Sequence, residues 1–294
     1  MKYLIVNADD LGWTDGVNRG IAEAHNKGIV TSASILANGA AFARGAELAR
    51  ATPALGVGVH LNLSDGKPLS PPREIASLVN ALGEFEGGPE SLLMRMARRI
   101  LRLKEIENEW EKQIQKVVDS GIQPTHLDGH KHVHMLPGLF QIVLRLAKRH
   151  GIGAVRVSHE ASSLRAALSS GKKQNIQVVM KQGVQARALK LLARDARALA
   201  ETTGIVSADY FCGIAQTGEL TVDGVAKLLQ SLPEGTTEMM CHPGFADPEL
   251  QKSSTRLQDS RQTEVAILTN PHIRNLVASQ GIRLIDYAFA AQKA

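Results

Sequence analysis

Residues 125–134, THLDGHKHVH, hold four of the ten histidines in the chain and one aspartate. Neutral imidazole is the commonest protein ligand for borderline divalent cations, so histidines crowded beside a carboxylate point to a metal centre. Three other runs follow the same grammar. MKYLIVNADD is a short apolar segment ending in Asp9 and Asp10, GVGVHLNL carries His60 and Asn62, and TEMMCHPG ends near His242. Each apolar, strand-like run delivers an acid or an imidazole near its C-terminal end.

Taken singly, these groups admit ordinary explanations. An isolated Asp-Asp pair is most often a strand-end turn with helix-capping acids. Neighbouring strand residues face opposite sides, so Asp9 and Asp10 share one site only if the chain bends, which Leu11-Gly12 permits. Two carboxylates in different surroundings can then divide the work, one as ligand and one as base. Burying His60 without a partner would cost about 1–3 kcal/mol, which a metal or carboxylate would relieve. A catalytic zinc site uses about three protein ligands, so not every histidine of 125–134 can be one. His126, Asp128 and His130 alternate and would share a face if the strand continues; those that are not ligands would fix tautomers. His242 gains weight as the last of four strand-end groups and is a candidate general acid. His25 and His150 suit helix C-termini, and His159 and His272 need no role.

The elements that must position these groups alternate along the chain. Strands are predicted over residues 3–8, 32–37, 57–63, 124–127, 154–157, 206–214, 237–241 and 283–285. Helices are predicted over 16–27 (with Asp15 as cap), 40–51, 90–120, 139–150, 222–231, 264–270 and 272–280. A loop-rich excursion fills 66–89, and the acids and bases of 90–120 imply a largely solvated face. Repeated strand–helix units predict an α/β fold, a (β/α) TIM-like barrel of parallel strands with outer helices, whose site lies at the C-terminal strand ends. A flat doubly wound sheet would place a Gly-rich phosphate loop after the first strand, where this chain has ADDLGWTDG. One domain over 1–294 is expected, with a helical insert at about 162–203.

Bulk properties narrow the function. Of 294 residues, 44% are hydrophobic and 21% charged, as in globular proteins. The +5 net charge comes from interleaved bases and acids, and only 4% of residues are aromatic. Both argue against a nucleic-acid partner. Cys212 and Cys241 read as buried, reduced thiols. The first apolar run is cut by Asn7, Asp9 and Asp10, and no apolar stretch approaches the ~20 residues of a membrane helix. A cytoplasmic location is expected. Arg187, Lys190, Arg194 and Arg197, opposite Leu189, Leu192 and Leu199, form a basic amphipathic pattern. It suits a surface helix packed on the barrel, or peripheral contact with the inner membrane. A homodimer is also open.

The segments IVNADDLG, GIVTSASILANG, GVHLNLSDGKPL, PTHLDGHKHVHMLPGLF and MMCHPGF, spread from Leu4 to Phe245, together resemble the YdjC-like carbohydrate deacetylase family, which includes chito-oligosaccharide deacetylases. The resemblance implies a distorted (β/α) barrel, one divalent ion (zinc first, magnesium second) and hydrolysis of a sugar N-acetyl group with release of acetate. Carried over, Asp10, His60 and His130 would be metal ligands, Asp9 the general base and His242 the acid. His126, Asp128, His132, His134 and Asn62 would orient ligands or touch substrate. The 162–203 insert and ADYFCGIAQTG resemble a branch associated with hopanoid biosynthesis, which implies an N-acetylglucosaminyl glycolipid in place of a soluble chito-oligosaccharide. Two rival readings are a metal-dependent phosphoesterase, suggested by the His-x-His-x-His run, and a non-catalytic lipid- or metal-binding scaffold.

Overall fold

A computed structural model describes residues 1–169, 195–253 and 255–293. Among them are seven strands: β1 (Lys2–Leu11), β2 (Ser32–Ile35), β3 (Gly56–Leu61), β4 (Leu127–Gly129), β5 (Tyr210–Cys212), β6 (Gly235–Cys241) and β7 (Arg283–Leu284). Their order is β4-β3-β2-β1-β6-β5, with β7 also on β1, and every pairing is parallel. Isolated parallel bridges Leu127–Val155, Ala154–Val206 and Glu160–Phe211 carry the curl on from β4 toward β5. Helices such as Asp15–Asn26, Phe42–Ala51 and Leu139–Arg149 connect the strands. This is the expected curled α/β sheet of parallel strands, in a distorted barrel.

Period-two alternation along β1 decides what lies inside. Leu4, Val6 and Ala8 join the large apolar core, whereas Tyr3 and Ile5 pack with Ala154, Ile285, Tyr287 and Ala290 in a second, smaller cluster. Asn7 and Asp9 continue the Tyr3–Ile5 side. The helix Tyr287–Lys293, absent from the sequence expectation, therefore plugs the interior at the level of Tyr3 and Ile5. Beyond that plug the interior turns polar.

Several elements differ from expectation for local reasons. Thr14, not Asp15, caps the first helix, accepting from the Val17 amide. The predicted helix 90–120 is two helices, Pro89–Ala97 and Leu103–Asp119, separated where Arg99 adopts φ 58°. The second helix is not simply solvated: Glu105, Glu109 and Gln113 are buried. Glu109 accepts from the Leu69 and Ser70 amides and Glu105 from the Ser77 amide. These carboxylates satisfy donors that the loop excursion would otherwise bury unpaired. Residues 154–157 form bridges in place of a full strand, because the curl offers them only brief register.

Arg187, Lys190, Arg194, Leu189 and Leu192 lie outside the described residues. Arg197, within them, donates to the Ala208 and Asp209 carbonyls. Cys212 and Cys241 are buried free thiols. Among the described residues no helix is long and apolar enough to cross a membrane.

Candidate active site

The two aspartates reach one chamber through a bulge. β1 pairs regularly with β6 as far as Ala8–Cys241, while its register with β2 slips between Ala8 and Leu11. Within the slip Asp10 takes φ 76°. A non-glycine residue in that left-handed region costs about 1–3 kcal/mol. The bend thus begins one residue before Leu11-Gly12, and it turns both carboxylates inward.

Around Asp10 a three-residue cluster forms. Asp10 Oδ1 lies 3.0 Å from His130 Nδ1 and 3.7 Å from His60 Nε2. It is buried without an aligned hydrogen-bond donor. Its other oxygen accepts from Arg261 Nη2 at 2.6 Å. His60 Nδ1 is 2.8 Å from Asp128 Oδ1, so a proton held there leaves the Nε2 lone pair facing Asp10. Ligand atoms of Asp10, His60 and His130 all fall within 4.8 Å of one another. An orphaned carboxylate oxygen beside two imidazoles is a donor set that fits a divalent ion.

A second triplet, Asp9, His60 and Asp128, is equally compact, but a cation from the chain already serves it. Arg156 Nη2 and Nη1 donate to the two oxygens of Asp9 at 2.7 and 2.8 Å. Nη1 is also 2.8 Å from Asp128 Oδ2, and Nε donates to Glu238 Oε1 at 2.8 Å. A metal here would face a fixed, fully buried guanidinium. That weighs against the multi-metal phosphoesterase.

The histidine run does not alternate as a strand would. It enters a 3₁₀ segment, His130–Met135, in which Lys131 and His132 are both left-handed (φ 52° and 58°). His130 and His132 consequently face the cavity. His132 Nδ1 sits 2.9 Å from Ser158 Oγ. His134 turns back and its Nε2–H donates to the Arg156 carbonyl at 3.1 Å. His126 lies deeper, 3.1 Å from Ser34 Oγ through Nε2 and stacked on Tyr287 at 4.1 Å. Gly58 makes room for it, since a Cβ there would meet the His126 ring at 2.4 Å. Asn62 accepts from the Ser64 and Asp65 amides and donates to the Asp65 carbonyl, shaping the loop after β3.

Asp9, Asp10, His60, His130, His132 and His242 line one cavity of about 490 Å³, with Trp13, Asp65 and Met240 in its wall. Asp128, His126 and His134 lie behind it. Asn62 lines an adjoining cavity of about 560 Å³, which shares Trp13, Asp65 and His130 with the first.

Charge in the site is arranged by the same contacts. Burial opposes ionisation of Asp10, but Arg261 and His130 outweigh it and hold the carboxyl well below its usual range. Arg156 and His60 do the same for Asp128 against burial, and they lower Asp9 against burial as well. Burial also works against the His130 cation, yet Asp10 and Asp65 raise its pKa to about 9. Burial pushes His242 down to about 4. His242 therefore rests neutral at neutral pH, and any proton it delivers must arrive during turnover. Its amide donates to Glu264 Oε2, whose carboxyl burial raises to about 7.

Sequence reasoning missed Arg156, Arg261, Glu238, Asp65 and Trp13. Arg156 carried a usable signal: in GAVRV it is the lone charge within an apolar run, as His60 is the lone imidazole in its own. Arg261 and Asp65 sit in polar surroundings with no such mark.

The YdjC-like protein family matches residues 3–279. The chain is 34% identical over 287 residues to a carbohydrate deacetylase of Geobacillus stearothermophilus, covering 97% of each. It is 35% identical over 285 residues to a chitooligosaccharide deacetylase of Enterobacter sp., covering 96% of this chain and 97% of the relative. A crystal structure of a proposed cellobiose-phosphate cleavage protein from Enterococcus faecalis superimposes with a TM-score of 0.75 at 29% identity, covering 97% of both chains. With matches running nearly end to end in both sequence and fold, this chain belongs to the YdjC-like protein family.

Proposed function

We propose that this protein is a carbohydrate N-deacetylase that hydrolyses the acetamide of an N-acetylated amino sugar, giving acetate and a free amine. The observation that carries the reading is the meeting of Asp9, Asp10, His60, His130 and His242 in one cavity. The names of its relatives support it. Asp10, His60 and His130 would hold one divalent ion, zinc in first place and magnesium in second, which would supply Lewis acidity toward the acetyl carbonyl.

The chain's own groups divide the remaining work. Asp9, kept ionised by Arg156, accepts the proton of the attacking water. Both Asp9 oxygens are engaged by the guanidinium, which fixes the carboxylate plane while leaving a lone pair on each oxygen. Water oxygen bonds to the acetyl carbon, the C–N bond breaks, and the amine nitrogen takes a proton. His242, next to Asp9 at the same end of the neighbouring strand β6, passes that proton on. Trp13 gives the wall an aromatic face against which a sugar ring packs.

We further propose a lipid-linked amino sugar, of the hopanoid glycolipid kind, as substrate, with a chito-oligosaccharide as the alternative. Leu82, Leu93, Met94, Ile100 and Leu103 are exposed, with the exposed cations Arg98, Arg99 and Lys104 among them. The segment adjoins Glu84, Gly88, Pro89 and Glu90, which line the two cavities. Apolar and basic side chains at a cavity mouth suit an anionic bilayer surface, and with it a cytoplasmic protein at the inner membrane.

The test is product analysis on a panel of N-acetylglucosaminyl lipids, chito-oligosaccharides and phosphorylated sugars. Acetate release supports deacetylation. Phosphate release without acetate would transfer the site to the phosphoesterase reading, and no product from any of them would favour a non-catalytic scaffold.

A further inference from the structure

We infer that Asp65 is a positioning residue that makes His130 present Nδ1, and not Nε2, to the cation. This rests on the metal-dependent reading above. The His130 ring is held between two carboxylates: Nδ1 is 3.0 Å from Asp10 Oδ1, and Nε2 is 3.2 Å from Asp65 Oδ2. Without a metal the ring holds a proton on both nitrogens; a bound cation would displace one, and the nitrogen facing an acceptor outside the cluster would keep the other. The Nε2–Asp65 approach is close but not aligned as a hydrogen bond in the metal-free protein; with Nε2–H directed at Asp65, the Nδ1 lone pair is left toward Asp10 and the Nε2 of His60.

His60 shows the complementary arrangement. There Asp128 sits 2.8 Å from Nδ1, so Nε2 is the free nitrogen. Each ring has one carboxylate behind it and one lone pair forward, but the two rings present different nitrogens. Turning the His130 ring over about Cβ–Cγ would replace Nδ1 by Cδ2 and Nε2 by Cε1, and both carboxylate contacts would be lost. Edge contacts with Trp13 and His60, at 5.2 and 5.4 Å between centroids, also hold the ring plane.

Asp65 is itself anchored. Ser64 Oγ and Lys131 Nζ both donate to its Oδ2 at 2.6 Å, and Asn62 accepts from its amide. The left-handed turn at Lys131 brings that ammonium onto the carboxylate directly after His130. The strained backbone thus delivers both the ligand and the lysine that steadies its partner.

The experiment uses the full metal-stripped chain without substrate. Zinc affinity is measured by competition with a chromophoric chelator for wild type, Asp65→Asn, Asp65→Glu and Ser64→Ala. Long-range ¹H–¹⁵N spectra of the zinc-loaded, labelled protein report which ring nitrogen of each histidine is ligated. The expected result is Nδ1 ligation at His130 and Nε2 ligation at His60. Asp65→Asn should bind zinc roughly 10–100-fold more weakly with unchanged circular dichroism, and Asp65→Glu should recover part of the loss. Ser64→Ala, which removes one donor to Asp65 Oδ2 and leaves that of Lys131, should weaken binding less than Asp65→Asn does. Nε2 ligation at His130, an Asp65→Asn affinity equal to wild type, or a Ser64→Ala loss as large as that of Asp65→Asn would overturn the assignment. Acetate release is measured separately, so a chain that binds zinc this way but deacetylates nothing refutes only the enzymatic reading. A wild type that takes up no zinc refutes the assignment, and one that takes up neither zinc nor magnesium refutes both.

Discussion

Arg156 grips Asp9 with both terminal nitrogens, at 2.7 and 2.8 Å, across 147 residues of sequence. The same guanidinium reaches Asp128 and Glu238. It is fully buried, so three carboxyl groups share one guanidinium. Arg156→Ala should lower stability by about 3–5 kcal/mol, the usual result of stranding buried charge. Arg156→Lys, which keeps a charge but loses the planar fork, should fold better yet lose most turnover. Urea unfolding and acetate assays on the two variants check this. An Arg156→Ala protein as stable as wild type would refute the buried-charge account.

Asp9→Asn removes the proposed base and leaves Asp10, His60 and His130 untouched. Zinc uptake should persist, while kcat should fall by about 10²–10⁴-fold, the range for a lost general base. A variant with full activity would take Asp9 out of the mechanism.

Metal removal gives a second line of attack. Chelation should abolish acetate release, and zinc at about 100 times its dissociation constant should stabilise the stripped protein by about 2.7 kcal/mol. His60→Ala should lose that stabilisation, because two remaining ligands hold the ion poorly. The readout is the denaturation midpoint with and without zinc. A zinc effect of equal size in His60→Ala would place the ion elsewhere.

Glu238 sets a pH signature. Burial raises its carboxyl to about 7 against the opposing pull of Arg156, whereas the unfolded value is about 4.3. The folded state thus holds the proton more tightly. The contribution is fully present below the unfolded value and is lost as pH rises through about 7, a change of roughly 3 kcal/mol. Glu238→Gln has no such group, so the stability difference between wild type and variant should shift by about that amount, against wild type, from pH 4.5 to 8. Urea titrations at the two ends measure it. A difference that stays flat with pH would show that Glu238 is not protonated in the fold.

Much of the site was legible before any coordinates, because a strand's alternation and its C-terminal end are local properties. Asp9, His60, Asp128 and His242 announce themselves as polar groups in or directly after apolar runs, and the parallel barrel follows from repeated strand–helix units. The division of labour within residues 125–134 was not legible. It depends on two successive left-handed residues, Lys131 and His132, which send His130 into the cavity and His134 back toward Arg156. The break in 90–120 was likewise hidden, since the acids at 105 and 109 look solvated until the loop amides they receive are in place.

By itself the sequence determined which chemistry the chain carries, a set of acids and imidazoles at strand ends, because residue type and period-two spacing are written locally. Tertiary structure alone decided which of them share a centre and in what charge state. Arg261 reaches Asp10 across 251 residues, and Asp65 and Asp128 each settle one ring nitrogen. Electrostatic interaction in a buried site depends on distances of a few ångströms, and those are set by how the strands close up, not by their order along the chain.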